Sequence, residues 1–206
     1  MMSKVFKPML VYGVGINDMV GLKTPHYQRW TDMLKRCYSG SLVSYSGVEV
    51  VDQWKYLSNF SAWADGKNYN GLELDKDIMG SGDIYSPDTC AFVPHYINSL
   101  LLIRERGRGL YPLGVSSITN NKTNKFRARL KTDEGVSQFL GNYPCQQSAH
   151  KAWQEAKFNN IRKVANRYKF DIYFDKDVYE SLKRISDRLE HEFINNLETK
   201  SLKGVV

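Results

Sequence analysis

The chain has 206 residues, of which 42% are hydrophobic and 25% charged, so it can bury a real core without disulfide or metal staples. Its formal net charge of +7 points to an anionic partner, and no apolar run approaches the roughly 18 residues that a spanning helix needs. Three cysteines, Cys37, Cys90 and Cys145, lack the paired spacing of zinc ribbons or disulfide frameworks, which is the usage of a reducing, cytoplasmic compartment.

The apolar stretch from Met9 to Ile16 follows Lys4 and Lys7 but runs into Asn17 and Asp18 without a small-residue cleavage site. Gly13-Val14-Gly15 lacks the third glycine of a dinucleotide fingerprint and reads as turns. From His26 to Tyr38, Trp30, Met33, Leu34 and Cys37 recur at helical spacing and predict an amphipathic helix ended by Ser39-Gly40. Val48 to Val51 predict a short strand. Trp54, Leu57, Phe60 and Ala64 predict a second helix with a buried aromatic face.

Between residues 72 and 102 the predicted order is strand (Leu72 to Ile78), turn (Gly80, Gly82), strand (Ala91 to Val93) and helix (His95 to Ile103). That is the order of a ββα nuclease module. Beyond it come three strands, Leu113 to Ile118, Lys125 to Lys131 and Ser137 to Gly141, joined by turn chemistry at Asn120-Asn121 and Asp133-Glu134-Gly135. A helix from Gln146 to Tyr168 follows, buried along Ala149, Ala152, Trp153, Ala156, Ile161 and Val164. Last is an amphipathic helix on Val178, Leu182, Ile185, Leu189 and Phe193. Its stripe can seat on the chain's own core or pair with a second copy to make a homodimer.

The basic residues are local. Arg104, Arg106, Arg108, Lys122, Lys125, Arg127, Arg129 and Lys131 fall in one stretch that contains a single acid, Glu105. Alternation along a strand puts Phe126, Ala128 and Leu130 toward the following helix and Arg127, Arg129 and Lys131 on the other face. Cations at intervals of about 6 to 7 Å can follow phosphates, and guanidinium groups read guanine edges. A solvated strand face is the alternative use of the same charges.

Here the residues carry a resemblance. Gly114-Val115, Lys125-Phe126-Arg127-Ala128, Phe139-Leu140-Gly141-Asn142-Tyr143 and then Ala149, Ala152 and Ala156 resemble the Apetala-type (ethylene-response-factor) DNA-binding domain. That family packs three antiparallel strands on one helix and lays the sheet in the major groove. Ser116 and Ser117 stand where plant members carry arginines, and Phe126 where they carry tryptophan.

Trp30, Met33 to Tyr38, Trp54, Phe60 and Trp63 are similar to the N-terminal part of phage-encoded His-Asn-His endonucleases. So are Leu74-Asp75-Lys76-Asp77-Ile78, Tyr85-Ser86-Pro87, Cys90, Phe92-Val93-Pro94 and Asn98. The resemblance implies a divalent ion such as Mg2+ as cofactor, with Asp75 and Asn98 at metal-ligand positions. Lys76 falls where the general-base histidine belongs, and Asp77 and His95 are further candidate catalytic groups. An ammonium near pKa 10.4 is a poor base, so the expected site is degenerate. Asp75 and Asp77, placed on one strand face, can equally be a structural carboxylate pair.

The expected architecture is therefore α+β: a degenerate ββα nuclease-like module (1–109), a three-stranded antiparallel sheet packed on a helix (110–170) and a C-terminal helical segment (171–206). The expected role is that of a phage accessory protein binding double-stranded DNA in the host cytoplasm, without a membrane. Two rivals stay open: an atypical metal-dependent homing-type endonuclease, and a counter-defence or regulatory protein that binds a host protein.

Overall fold

The computed structural model describes residues 10–22, 24–80, 82–103, 110–119, 123 and 125–204. Helix α1 (Tyr27–Tyr38) buries Trp30, Met33 and Leu34, carries Lys35 and Arg36 in its last turn where they suit the helix dipole, and ends at Ser39. Strand β1 (Glu49–Val50) follows. The expected helix at Trp54 starts later: Asp52–Lys55 make a 3-10 turn, the backbone extends at Tyr56, and α2 runs Leu57–Asp65. This break lets the indole of Trp30 donate to the carbonyl of Trp54 at 2.7 Å.

Strand β2 (Glu73–Asp75) is shorter than the expected strand over residues 72–78 because its last side chain ends it. An Asp75 carboxylate oxygen accepts the backbone N–H groups of Asp77 and Ile78, at 2.9 and 2.8 Å, and turns the chain there. Strand β3 (Ile84–Tyr85) then leaves to pair in parallel with β1. Strand β4 (Ala91–Val93) returns to pair antiparallel with β2, with Glu73 opposite Val93 and Asp75 opposite Ala91. Helix α3 (His95–Leu100) follows directly, so the strand-strand-helix order is present with β3 inserted in its connection.

Strands β5 (Val115–Ser117), β6 (Phe126–Lys131) and β7 (Ser137–Tyr143) form an antiparallel sheet in that order. Helix α4 (Gln146–Tyr168) packs beneath it, and α5 (Lys176–Ile194), capped by the Asp175 carboxylate, packs on α4. At Gly114 the backbone has a positive φ of 77°, and an added Cβ would lie 2.0 Å from the Trp153 indole. Only glycine lets β5 approach α4 this closely.

Two main cores result, and β4 sits between them. Phe92 faces a core that includes Trp30, Trp54, Phe60 and Leu74, while Ala91 and Val93 face one that includes Ile78, Leu100, Trp153, Ile161, Leu182 and Leu202. The second core draws on all three expected units, so the chain is not cut at residues 109 and 170 into separately packed bodies. The architecture is mixed helix and sheet. No described helix is long and apolar enough to cross a membrane. The stripe Val178, Leu182, Ile185 and Leu189 is buried against the chain's own core, which takes up the seam that a coiled-coil homodimer would need.

Candidate nucleic-acid interface

The β6 alternation is realised. Ala128 and Leu130 are buried toward α4, and Phe126, expected to be buried with them, is half-buried against Tyr111. Arg127, Arg129 and Lys131 take the opposite face. Across β7 they stand opposite Asn142, Phe139 and Ser137, and Ser116 of β5 stands opposite Arg127. The register holds across a bulge between Ala128 and Arg129, where Leu140 is the additional β7 residue and packs inward.

The open face is therefore cationic with one aromatic. Phe139 is 55% exposed, and the Arg127 guanidinium lies 6.0 Å from its ring centroid while its Nε donates to Asn142 at 3.4 Å. Among the described residues Lys125, Arg127, Arg129 and Lys131 form no ion pair. Asp133, two residues beyond Lys131, is turned to Arg167 of α4 at 2.8 Å, with its own side chain nearly buried. Such a face carries a net positive charge that no described carboxylate pairs with. Arg104, Arg106, Arg108 and Lys122 lie outside the described residues. Sequence reasoning named Phe139 and Asn142 only among the residues that carry the resemblance and gave neither a place on the open face, because a bulge shifts the phase of β7 and only the pairing with β6 assigns its outer face.

The residues expected to form a nuclease site are placed differently. Asp75 is buried and spends an oxygen on two backbone N–H groups, and burial pushes its pKa up to about 6. Asp77 lies beyond the turn that ends β2, so the two carboxylates do not share a strand face. Lys76 is buried too: its Nζ donates to Asp77 at 2.9 Å and lies 5.2 and 5.7 Å from the ring centroids of Tyr45 and Tyr85.

Asn98 does not join Asp75. Its amide donates to Glu73, whose other oxygen contacts His95 Nδ1 at 2.7 Å. Burial of Glu73 works to raise its pKa, but the hydrogen bonds from Asn98 and His95 outweigh it and hold the carboxylate below its usual range. Glu73 was missed because it lies 22 and 25 residues from these partners, which only the β2–β4 pairing brings near. Among the described residues no three His, Cys, Asp or Glu side chains converge as a metal site. The expected Asp75 and Asn98 pair does not fit Mg2+, since a magnesium site needs oxygens free to converge on one octahedral centre.

Comparison with protein-family models, with curated proteins and with solved structures gave no match.

Proposed function

We propose that the protein binds duplex DNA through the open face of β5–β6–β7, as a phage accessory protein in which the nuclease-like β2–β4–α3 region is a non-catalytic support. One observation carries the reading: Arg127, Arg129 and Lys131 line one face of a sheet, a face that no described element covers, while the other face packs on α4. Cations carried on a strand at about 6 to 7 Å intervals engage phosphates without an added backbone ordering cost, and their guanidinium groups reach base edges. The resemblance of this sheet's residues to the Apetala-type domain agrees with that use.

The test is fluorescence anisotropy of labelled random-sequence duplex across a salt series. With Lys125, Arg127, Arg129 and Lys131 neutralising phosphates, log K falls with log salt at a slope of about −3 to −4. An affinity indifferent to salt, or none at about 50 mM salt, overturns the reading. Supercoiled plasmid incubated with the protein and magnesium or manganese stays intact. Nicking that Asp75→Ala abolishes would replace the binding role with an endonuclease.

A further inference from the structure

We propose that His150 is a proton-sensitive latch for the C-terminal strap, residues 197–204, holding it in place only while the imidazole is neutral.

The hydrogen bonds fix the ring's state. His150 Nε2 lies 3.0 Å from the backbone nitrogen of Thr199, and an amide N–H can only donate, so Nε2 accepts. His150 Nδ1 lies 2.9 Å from the carbonyl of Leu113, which can only accept, so Nδ1 carries the proton. Both nitrogens are used by one neutral tautomer. An imidazolium would put a second N–H at Nε2 against that of Thr199, breaking the bond and orphaning a buried donor.

The surroundings set where this happens. His150 is 4% exposed, and its ring stacks on Trp153 of the same helix at 5.4 Å and 16°. Burial lowers its pKa from the ordinary histidine value, while the Leu113 carbonyl and the carboxylates of Glu198 on the strap and Glu192 on α5 pull the other way. Of the neighbouring cations, Lys151 donates to Asn196, and Arg188 faces Glu192 at 3.9 Å and donates to the Ser201 carbonyl. The latch therefore holds at neutral pH and gives way below the usual histidine range.

What it holds is substantial. Thr199 is fully buried, takes a hydrogen bond from Gln154 and donates to Glu192. Farther along, Leu202 fills the second core, and the Gly204 N–H donates to the Asp77 carbonyl at 2.6 Å. An added Cβ on Gly204 would lie 2.3 Å from the Ile78 carbonyl, so the strap is seated closely on the turn after β2. Leu113 immediately precedes Gly114 and β5, so one imidazole ties the lead-in of the basic sheet to a strap that ends on the nuclease-like region.

Amide hydrogen exchange on the full chain, corrected for the chemical rate, tests this between about pH 7.5 and about pH 5. Protection of Thr199 and the strap amides after it falls at least about tenfold at the lower pH, the scale of one buried hydrogen bond, while β6 protection does not change. His150→Gln, neutral throughout, keeps or loses protection equally at both pH values. An acid loss of protection in that variant equal to the wild type overturns the latch, as does a wild-type strap that stays protected at about pH 5. Should the variant not fold, the wild-type chain decides alone. The NMR titration of the His150 ring and the loss of Thr199 protection share one midpoint, and a separation of more than about one pH unit overturns the proposal.

Discussion

Arg129 and Phe139 face each other directly across the β6–β7 ladder, both on the side of the sheet that α4 does not cover. A guanidinium beside an exposed ring is an arrangement that can meet a phosphate, a base edge or a base face from one rigid strand pair. The neighbouring Arg127 also approaches that ring, so the face acts as a set.

The first prediction separates the two sides of β6. Arg127→Ala and Arg129→Ala each weaken duplex binding by about 1 to 3 kcal/mol and leave the urea midpoint unchanged. Leu130→Ala, one residue away on the buried side, instead lowers stability by about 2 to 5 kcal/mol. Anisotropy and denaturation of the three variants check this. Arginine variants that unfold the chain while Leu130→Ala weakens only binding would invert the assigned faces.

The second concerns Asp75, whose carboxylate ends β2 by accepting two backbone N–H groups. Asp75→Ala leaves both donors without that acceptor and costs on the order of 1 to 3 kcal/mol for each that stays buried. Asp75→Asn keeps an acceptor oxygen and costs much less. Denaturation midpoints of the two variants read the difference. Equal losses would show that the charge, and not the turn, is what the position supplies.

These cases show what was legible in the sequence. Long periodic elements were: α4, α5 and the alternation of β6 follow from spacing over many residues. Three kinds of feature were not. The end of β2 depends on a side chain bonding its own backbone, and hydrophobic pattern does not record that. The pairing of Glu73 with His95 and Asn98 depends on register between strands far apart in the chain. The stripe on α5 has the same periodicity whether it meets a second copy or its own α4, because the pattern specifies a buried face and not what buries it.

The third prediction follows from that stripe. Since Val178, Leu182, Ile185 and Leu189 are inside the chain's own core, Leu182→Ala destabilises by about 2 to 5 kcal/mol to the same extent at every protein concentration. Sedimentation of the full chain shows no self-association that Leu182→Ala weakens. A denaturation midpoint that rises with protein concentration and loses this dependence in Leu182→Ala would place the stripe between copies instead.

The last prediction concerns Lys157, buried under the sheet with its Nζ donating to the Leu100 carbonyl at the end of α3, 2.5 Å away. Burial pushes its pKa down to about 8, from an ordinary value of 10.5; Asp133 opposes the shift and Lys131 adds to it. Below about pH 8 both folded and unfolded chains hold the proton, and folding carries the full cost of a buried charge. As pH rises from about 8 toward 10.5, the folded chain releases its proton first while the unfolded chain still holds it, so this group makes stability rise with pH. Other groups work against it at the upper end. Burial raises the Cys37 thiol to about 11, Cys90 to about 12 and the Tyr168 hydroxyl to about 12, so their contributions fall once the unfolded thiols and phenols ionise. The difference between wild type and Lys157→Met isolates the lysine. Urea midpoints taken at about pH 7, 8, 9 and 10 should bring the wild type upward relative to the variant across the window, even where both curves decline. A difference that stays flat from about pH 8 to 10 would mean that Lys157 keeps its proton in the folded chain, held by the Leu100 carbonyl and Asp133 strongly enough to offset its burial.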